Sequence, residues 1–316
     1  MKPKKCEFAC RRLLFLGHVI SSNGISMQED KMKAIQDVPF PSTVKKLQRF
    51  LGMAGYYRKF IPNYGKITTS LYDLTKDDKT RFHKITPNDK ALESFELVKT
   101  AIAKDVLLCY PDFQAARDNP KRRFTILTDA SHTGFGAVLC QNDTELRLRP
   151  LYFASRRTKP AETRYSATEI EGKGLHYACM KFYQFIVGHP TNVLTDHHAL
   201  VFMYNSNTLL GNVRIERWMI DLKSRFDLHV AYKAGRFNLV ADFLSRSLSP
   251  ISISAILTTD LPAITDTAIT NSIHSQRSSF LPTISALITR RQAKQYGHQP
   301  NNTNCGCDLC SPSNTQ

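Results

Sequence analysis

Val44, Leu47, Phe50, Leu51 and Ala54 recur at helical spacing, with Lys45, Lys46 and Arg49 on the other faces. The spacing predicts an amphipathic helix, with Ser42 or Thr43 behind Pro41 as its N-cap and Pro62 as its stop. A second helix is expected over residues 90–104, with Leu92, Phe95, Val98 and Ile102 on one stripe, and a shorter one over 27–38. Residues 13–21 read as one strand. Past about residue 120 the period becomes that of strands. Short strands are expected at 124–129, 136–140 and 148–153, separated by turns at 131–134 and 141–145. A long helix over 168–185, a strand at 192–195, helical stretches to about 224, a strand at 228–232 and a short helix from Val240 follow. The order is β-β-β-α-β-α-β-α. Three hairpin-linked strands followed by two crossovers predict an α/β fold, a mixed five-stranded sheet with flanking helices.

Charge adds a partner class to this picture. The 316 residues carry 43 Lys and Arg against 27 Asp and Glu, a net of +16, which points to a polyanion such as nucleic acid. No apolar run approaches the ~18–20 residues of a membrane span, and no amphipathic basic helix recommends a membrane surface. The basic N-terminus lacks an apolar signal segment, so the expectation is an intracellular protein that is not secreted. Eight scattered cysteines point to free thiols, with Cys6, Cys10, Cys109, Cys140 and Cys179 expected to be buried. Residues 251–316 hold eighteen Ser and Thr but two aromatics, and their apolar positions follow no period. That stretch reads as a disordered tail.

Candidate chemistry gathers at element ends. Asp129 closes the first strand after residue 120 and Asp196 the fourth; Glu171 lies in the first turn of the long helix and Asp242 early in the last one. If the first and fourth strands are parallel neighbours, Asp129 and Asp196 stand side by side at the carboxyl edge of the sheet, where open α/β sheets bind ligands. Clustered carboxylates stay ionised when cations neutralise them, and hard oxygen donors suit Mg²⁺ or Mn²⁺. Two such ions clamp the attacking water and leaving oxygen of a phosphodiester. Each acid alone reads first as a solvated cap or surface carboxylate, and spacing alone does not make the site.

The words around these acids carry a resemblance. Leu127-Thr-Asp-Ala-Ser-His-Thr-Gly-Phe-Gly-Ala-Val-Leu139 is similar to the start of the ribonuclease H domain of gypsy-type retrotransposon reverse transcriptases. Tyr152-Phe-Ala-Ser-Arg156, Tyr165-Ser-Ala-Thr-Glu-Ile-Glu171, Thr195-Asp-His-His-Ala-Leu200, Arg217-Trp218 with Asp221-Leu222, and the run from Tyr232 to Arg246 follow in family order. Phe15-Leu-Gly-His18 resembles the end of the polymerase palm, and Lys46 to Pro62 the thumb. The resemblance implies a palm remnant over 1–22, thumb and connecting region over 23–119, a ribonuclease H-like domain over 120–248 and the tail over 249–316. It implies Asp129, Glu171, Asp196 and Asp242 as catalytic ligands of two Mg²⁺ or Mn²⁺ ions. Between Glu169 and Glu171, the second is chosen because the family's word carries its ligand there.

The implied activity is hydrolysis of the RNA strand of RNA–DNA hybrids. The implied partners are that hybrid or a primer–template duplex, and the rest of a Pol polyprotein, in the cytoplasm or a virus-like particle. Lys45, Lys46, Arg49, Tyr56, Arg58 and Lys59 are the expected phosphate-contacting set, with Tyr57 beside Tyr56 shared between contact face and core. His18 is read either as positioning a primer end or as a structural turn histidine, and His197 and His198 as touching substrate or as packed caps. The polymerase's Tyr-x-Asp-Asp motif is nowhere in the chain, so polymerisation by this chain alone is not expected. Gly172 and Gly174 depart from the family's apolar helix formers, each at ~1 kcal/mol against Ala. That departure supports the alternative, a catalytically dead nucleic-acid-binding remnant whose loosened helix misplaces Glu171. Cys305, Cys307 and Cys310 with His298 are too tightly spaced for a standard zinc site.

Overall fold

The computed structural model describes residues 10–76, 83–104, 106–206 and 212–232. Asp242, the expected helix from Val240, the Ser/Thr-rich stretch, Cys6 and the Cys305–Cys310 group lie outside the described residues.

The strand expected over 13–21 is a hairpin. β1 (Arg12–Phe15) and β2 (His18–Ser21) pair antiparallel, and β3 (Gly24–Met27) adds a third strand. The chain reverses at Leu16 and Gly17, with φ of 49° and 76°. That left-handed pair makes the tight primed turn hairpins favour, and Gly17 adopts it without the steric cost an L side chain meets.

Helix α1 (Glu29–Gln36) follows, then α2 (Val44–Tyr56), whose Thr43 side chain accepts a hydrogen bond from the Lys46 amide. The apolar stripe of α2 is buried as its spacing predicts. A 3₁₀ turn (Arg58–Phe60) and short helices α3 (Tyr64–Ile67) and α4 (Thr69–Asp73) lead to α5 (Asp89–Ala103), capped by Asn88. Its buried stripe is Ala91, Phe95, Val98 and Ile102; Leu92 is exposed. Starting the stripe at 91 keeps the i, i+4, i+7, i+11 spacing of one face.

After α6 (Phe113–Asp118) come β4 (Phe124–Ala130), β5 (Gly134–Asn142) and β6 (Leu148–Arg157), joined as hairpins. β5 is longer than expected. Gln141, read as part of a polar turn, is a buried strand residue whose amide donates to the carbonyls of Asp112 and Arg122 and accepts from the Asp112 amide. The long helix is two: α7 (Ala167–Lys181) and α8 (Tyr183–Ile186), broken at the buried Phe182. β7 (Thr191–Thr195), α9 (His198–Asn205), α10 (Val213–Arg225) and β8 (Leu228–Tyr232) complete the described chain.

The sheet order is β6-β5-β4-β7-β8, with β4–β7 and β7–β8 parallel. Alternate side chains serve different cores. Leu127, Val138, Cys140, Phe153 and Leu194 join the core of the residue 27–108 segment. Ile126, Ala137, Leu139, Ala154 and Val193 join the core made with α7, α9 and α10. A sheet covered on both faces explains why β4 and β5 read as near-continuous apolar runs. Of the cysteines expected to be buried, Cys140 and Cys179 are; Cys10 is exposed and Cys109 half-buried. Among the described residues no helix is long and apolar enough to cross a membrane.

Candidate active site

Parallel pairing puts Leu127 opposite Leu194. Two residues further along each strand stand Asp129 and Asp196, at the carboxyl edge of neighbouring strands. Helix α7 crosses this edge. Its Ser166 caps it by accepting from the Glu169 amide, while Glu169 accepts from the Ser166 amide, a complete capping box. Glu169 also pairs with Arg214 of α10 at 2.6 Å. The two acids therefore separate: Glu169 lies in the first turn and closes the helix, while Glu171, expected in that turn, lies in the second and faces the strand ends.

The half-buried Glu171 carboxyl is pushed up to about 8, first by burial, then by the negative charges of Asp129 and Asp196; the Ala130 backbone opposes this weakly. Three carboxylates are thus close enough to feel one another. Among the described residues, no three His, Cys, Asp or Glu side chains form a ready cation cage. The donor chemistry fits a divalent cation nonetheless. An ionised Glu171 is costly beside two like charges, and a bound Mg²⁺ or Mn²⁺ reverses the sign of that cost.

Close packing sets this geometry. A methyl group at Gly174 would stand 2.6 Å from Cβ of Ala130, the neighbour of Asp129. Only glycine lets α7 lie that close to β4. Gly172 faces Leu200 and the indole of Trp218, 3.4 and 3.5 Å from where a methyl would sit, an ordinary contact distance. The two glycines do not interrupt the helix: α7 is continuous from 167 to 181, and Gly174 lets it lie close on the sheet.

The other residues named from the sequence divide by exposure. Lys45, Lys46 and Arg49 lie on the exposed side of α2, with Arg58 exposed on the 3₁₀ turn. Lys59 is half-buried, its ammonium 5.1 Å from the Phe60 ring centre. Tyr56 is exposed, donating its hydroxyl to the Leu16 carbonyl at 2.8 Å, whereas Tyr57 is buried. His18 is 9% exposed, packed among Tyr56, Tyr57 and Phe60, and burial holds its imidazole below the usual range. His197 stands 3.5 Å from the Thr168 hydroxyl, and His198 stacks on Tyr232.

Sequence reasoning missed the Arg156–Glu162 pair. The guanidinium fork meets the buried carboxylate at 2.7 Å through both nitrogens and lies over Phe135 and Tyr177. A six-residue separation follows no helical or strand period. The signal available was Arg156 itself, which closes the Tyr152–Arg156 word.

A fold of this order, with acids at the carboxyl ends of adjacent parallel strands, defines a ribonuclease H-like domain, and residues 119–225 match the RNase H-like domain found in reverse transcriptase. The chain is a relative of retrotransposon Pol polyproteins. It is 36% identical over 246 residues to the Retrovirus-related Pol polyprotein from transposon 297 of Drosophila melanogaster, covering 77% of this chain and 21% of that protein. It is 35% identical over 259 residues to the corresponding polyprotein from transposon gypsy, covering 78% and 23%. The chain thus spans less than a quarter of the length of these relatives. The foamy viral protease-reverse transcriptase solved in complex with an RNA/DNA hybrid shares the fold, with a TM-score of 0.59 at 20% identity over 82% of this chain and 32% of that one. The form solved with dsDNA gives 0.57 at 20% identity over 71% and 45%.

Proposed function

We propose that this chain hydrolyses the RNA strand of RNA–DNA hybrids, with Asp129, Glu171, Asp196 and Asp242 holding two divalent cations. The observation that carries this reading is the placement of three acids: parallel β4 and β7 end on Asp129 and Asp196, and α7, packed on β4 at Gly174, brings Glu171 within reach of their charge. Strand-end acids from β4 and β7 and a helix-start acid from α7 present oxygen donors to one region. When bound, the cations supply a nucleophilic water at neutral pH and stabilise charge on the leaving oxygen. The chain's own part is to hold the carboxylates in place. The capping box fixes the first turn of α7, Gly174 sets its height over β4, and the β4–β7 register fixes Asp129 beside Asp196. Lys45, Lys46, Arg49, Tyr56, Arg58 and Lys59 would add a phosphate-contacting face, with His18 packed beneath Tyr56. The foamy viral enzyme's structure with an RNA/DNA hybrid supports that substrate class.

A 5′-labelled RNA–DNA hybrid tests the reading. Cleavage of the RNA strand with Mg²⁺, lost in EDTA and reduced at least a hundredfold in Asp129→Asn, is expected. Hybrid binding without cleavage by the wild-type chain would favour the catalytically dead remnant instead.

A further inference from the structure

The flank of α7 beyond the acids carries charge that the proposed chemistry does not use. The Arg58–Phe60 turn packs against β6, and Arg58 lies near Tyr177 and Lys181 of α7. Arg156 of β6 lies over Tyr177 with 5.2 Å to the ring centre. Lys181 stands 5.9 Å from the Tyr152 ring centre, and Lys173 5.1 Å from that of Trp218. Lys159, in the loop after β6, completes the run beside Lys173. Five cations thus follow one flank, and aromatic faces hold the head groups of three of them.

Acids balance only part of this run, with Glu162 and Asp221 near Lys173. Glu162 takes the whole fork of Arg156. Among the described residues no carboxylate forms an ion pair with Arg58, Lys159, Lys173 or Lys181. The ammonium of Lys173 stands 3.4 Å from Nδ1 of His176, and that of Lys181 is held below its usual range by burial and by Arg58. Mutual repulsion of this kind is relieved by an external anion. From Glu171 to Lys181 the helix rises ~15 Å, roughly four phosphates of one strand at 3.4 Å each. A row of fixed positive charges at that scale fits a repeating phosphodiester.

We propose that Arg58, Lys159, Lys173 and Lys181 form a phosphate track that seats one strand of the nucleic-acid duplex along α7, continuous with the acids at its start, with Arg156 held behind it by Glu162. Arg58 joins this track to the basic face of Lys45, Lys46 and Arg49. The track deepens the proposed nuclease function and rests on it for the identity of the duplex.

The test is the salt dependence of hybrid binding by the full chain in EDTA, read by fluorescence anisotropy, beside cleavage with Mg²⁺. Lys159→Gln/Lys181→Gln is expected to weaken binding roughly tenfold at moderate salt and to reduce the slope of log K against log salt by about 2. The exposed Lys90→Gln, away from the track, is the control and should leave both unchanged. Cleavage at sub-saturating hybrid should fall in step with the affinity in the double variant. An unchanged slope and affinity in the double variant would overturn the track, whatever the wild type cleaves. A changed slope in a chain that cleaves nothing would sustain the track and sink the nuclease reading. Loss of binding to phosphatidylserine vesicles with hybrid binding intact would also overturn it, assigning the flank to a membrane.

Discussion

Glu171 and its neighbour Glu169 differ by two positions and by everything around them. Glu169 is committed to the capping box and Arg214, and its carboxyl is held below its usual range first by the Ser166 backbone. Glu171 is pushed from 4.5 to about 8. A carboxyl whose folded value lies above its unfolded one binds its proton more tightly in the native state, so its contribution to stability is lost as pH rises between the two values. In EDTA the melting temperature should therefore fall as pH rises from about 4.5 to about 8, and Mg²⁺ should oppose the fall. Glu171→Gln should flatten the profile; a wild-type melting temperature that rises through this window would contradict the electrostatics. Asp129, Glu171 and Asp196 could be named from the sequence because each sits inside a recognisable run of residues. The Leu16–Gly17 reversal was not, because a Leu at φ 49° occupies a place where Asn or Gly would have marked the turn. Leu16 is held there from outside: its carbonyl accepts from the Tyr56 hydroxyl and faces the His18 ring nitrogen.

Helix α7 shows what periodicity can and cannot tell. Its start was expected at 168, one residue late, without the Ser166 cap, and its interior glycines read as weakness. Glycine in a helix is indeed unfavourable by ~1 kcal/mol against Ala, but that scale refers to a helix in solvent. Here the missing Cβ allows contact with Ala130, a property of two elements together that no single window of sequence contains. Gly174→Ala would gain helix propensity and lose the fit. The expected net is destabilisation by about 1–3 kcal/mol, with hybrid cleavage falling more than tenfold because Glu171 moves away from Asp129. Chemical denaturation and the cleavage assay report the two effects separately. A variant as stable and active as wild type would show that the approach of α7 to β4 is not tight. On α5, the exchange of Leu92 for Ala91 on the buried face has the same origin: both residues are apolar, and the packing partner chooses between them.

At the scale of the molecule, the five-stranded sheet belongs to two cores at once. The change of period near residue 120 suggests a division of the chain, and the sequence order of elements made the sheet legible. Which segment covers each face was not, since Leu127, Val138 and Phe153 would look the same beneath any apolar cover. The structure places the residue 27–108 segment there. Removing residues 1–118 should uncover that face. The remaining fragment is expected to bind a hydrophobic dye and to aggregate or melt well below the full chain; a monomeric fragment of unchanged melting temperature would refute the shared core. The same burial governs motion. Strands β4 and β7 lie at the centre of the sheet, bonded on both sides and covered above and below, so no local opening releases their amides. In deuterated solvent, the amide protons of Ile126, Leu127, Val193 and Leu194 should be the last to exchange, at the rate of whole-molecule opening. The strands that carry Asp129 and Asp196 would then be the most slowly relaxing part of the protein, holding the two carboxylates still on the timescale of turnover.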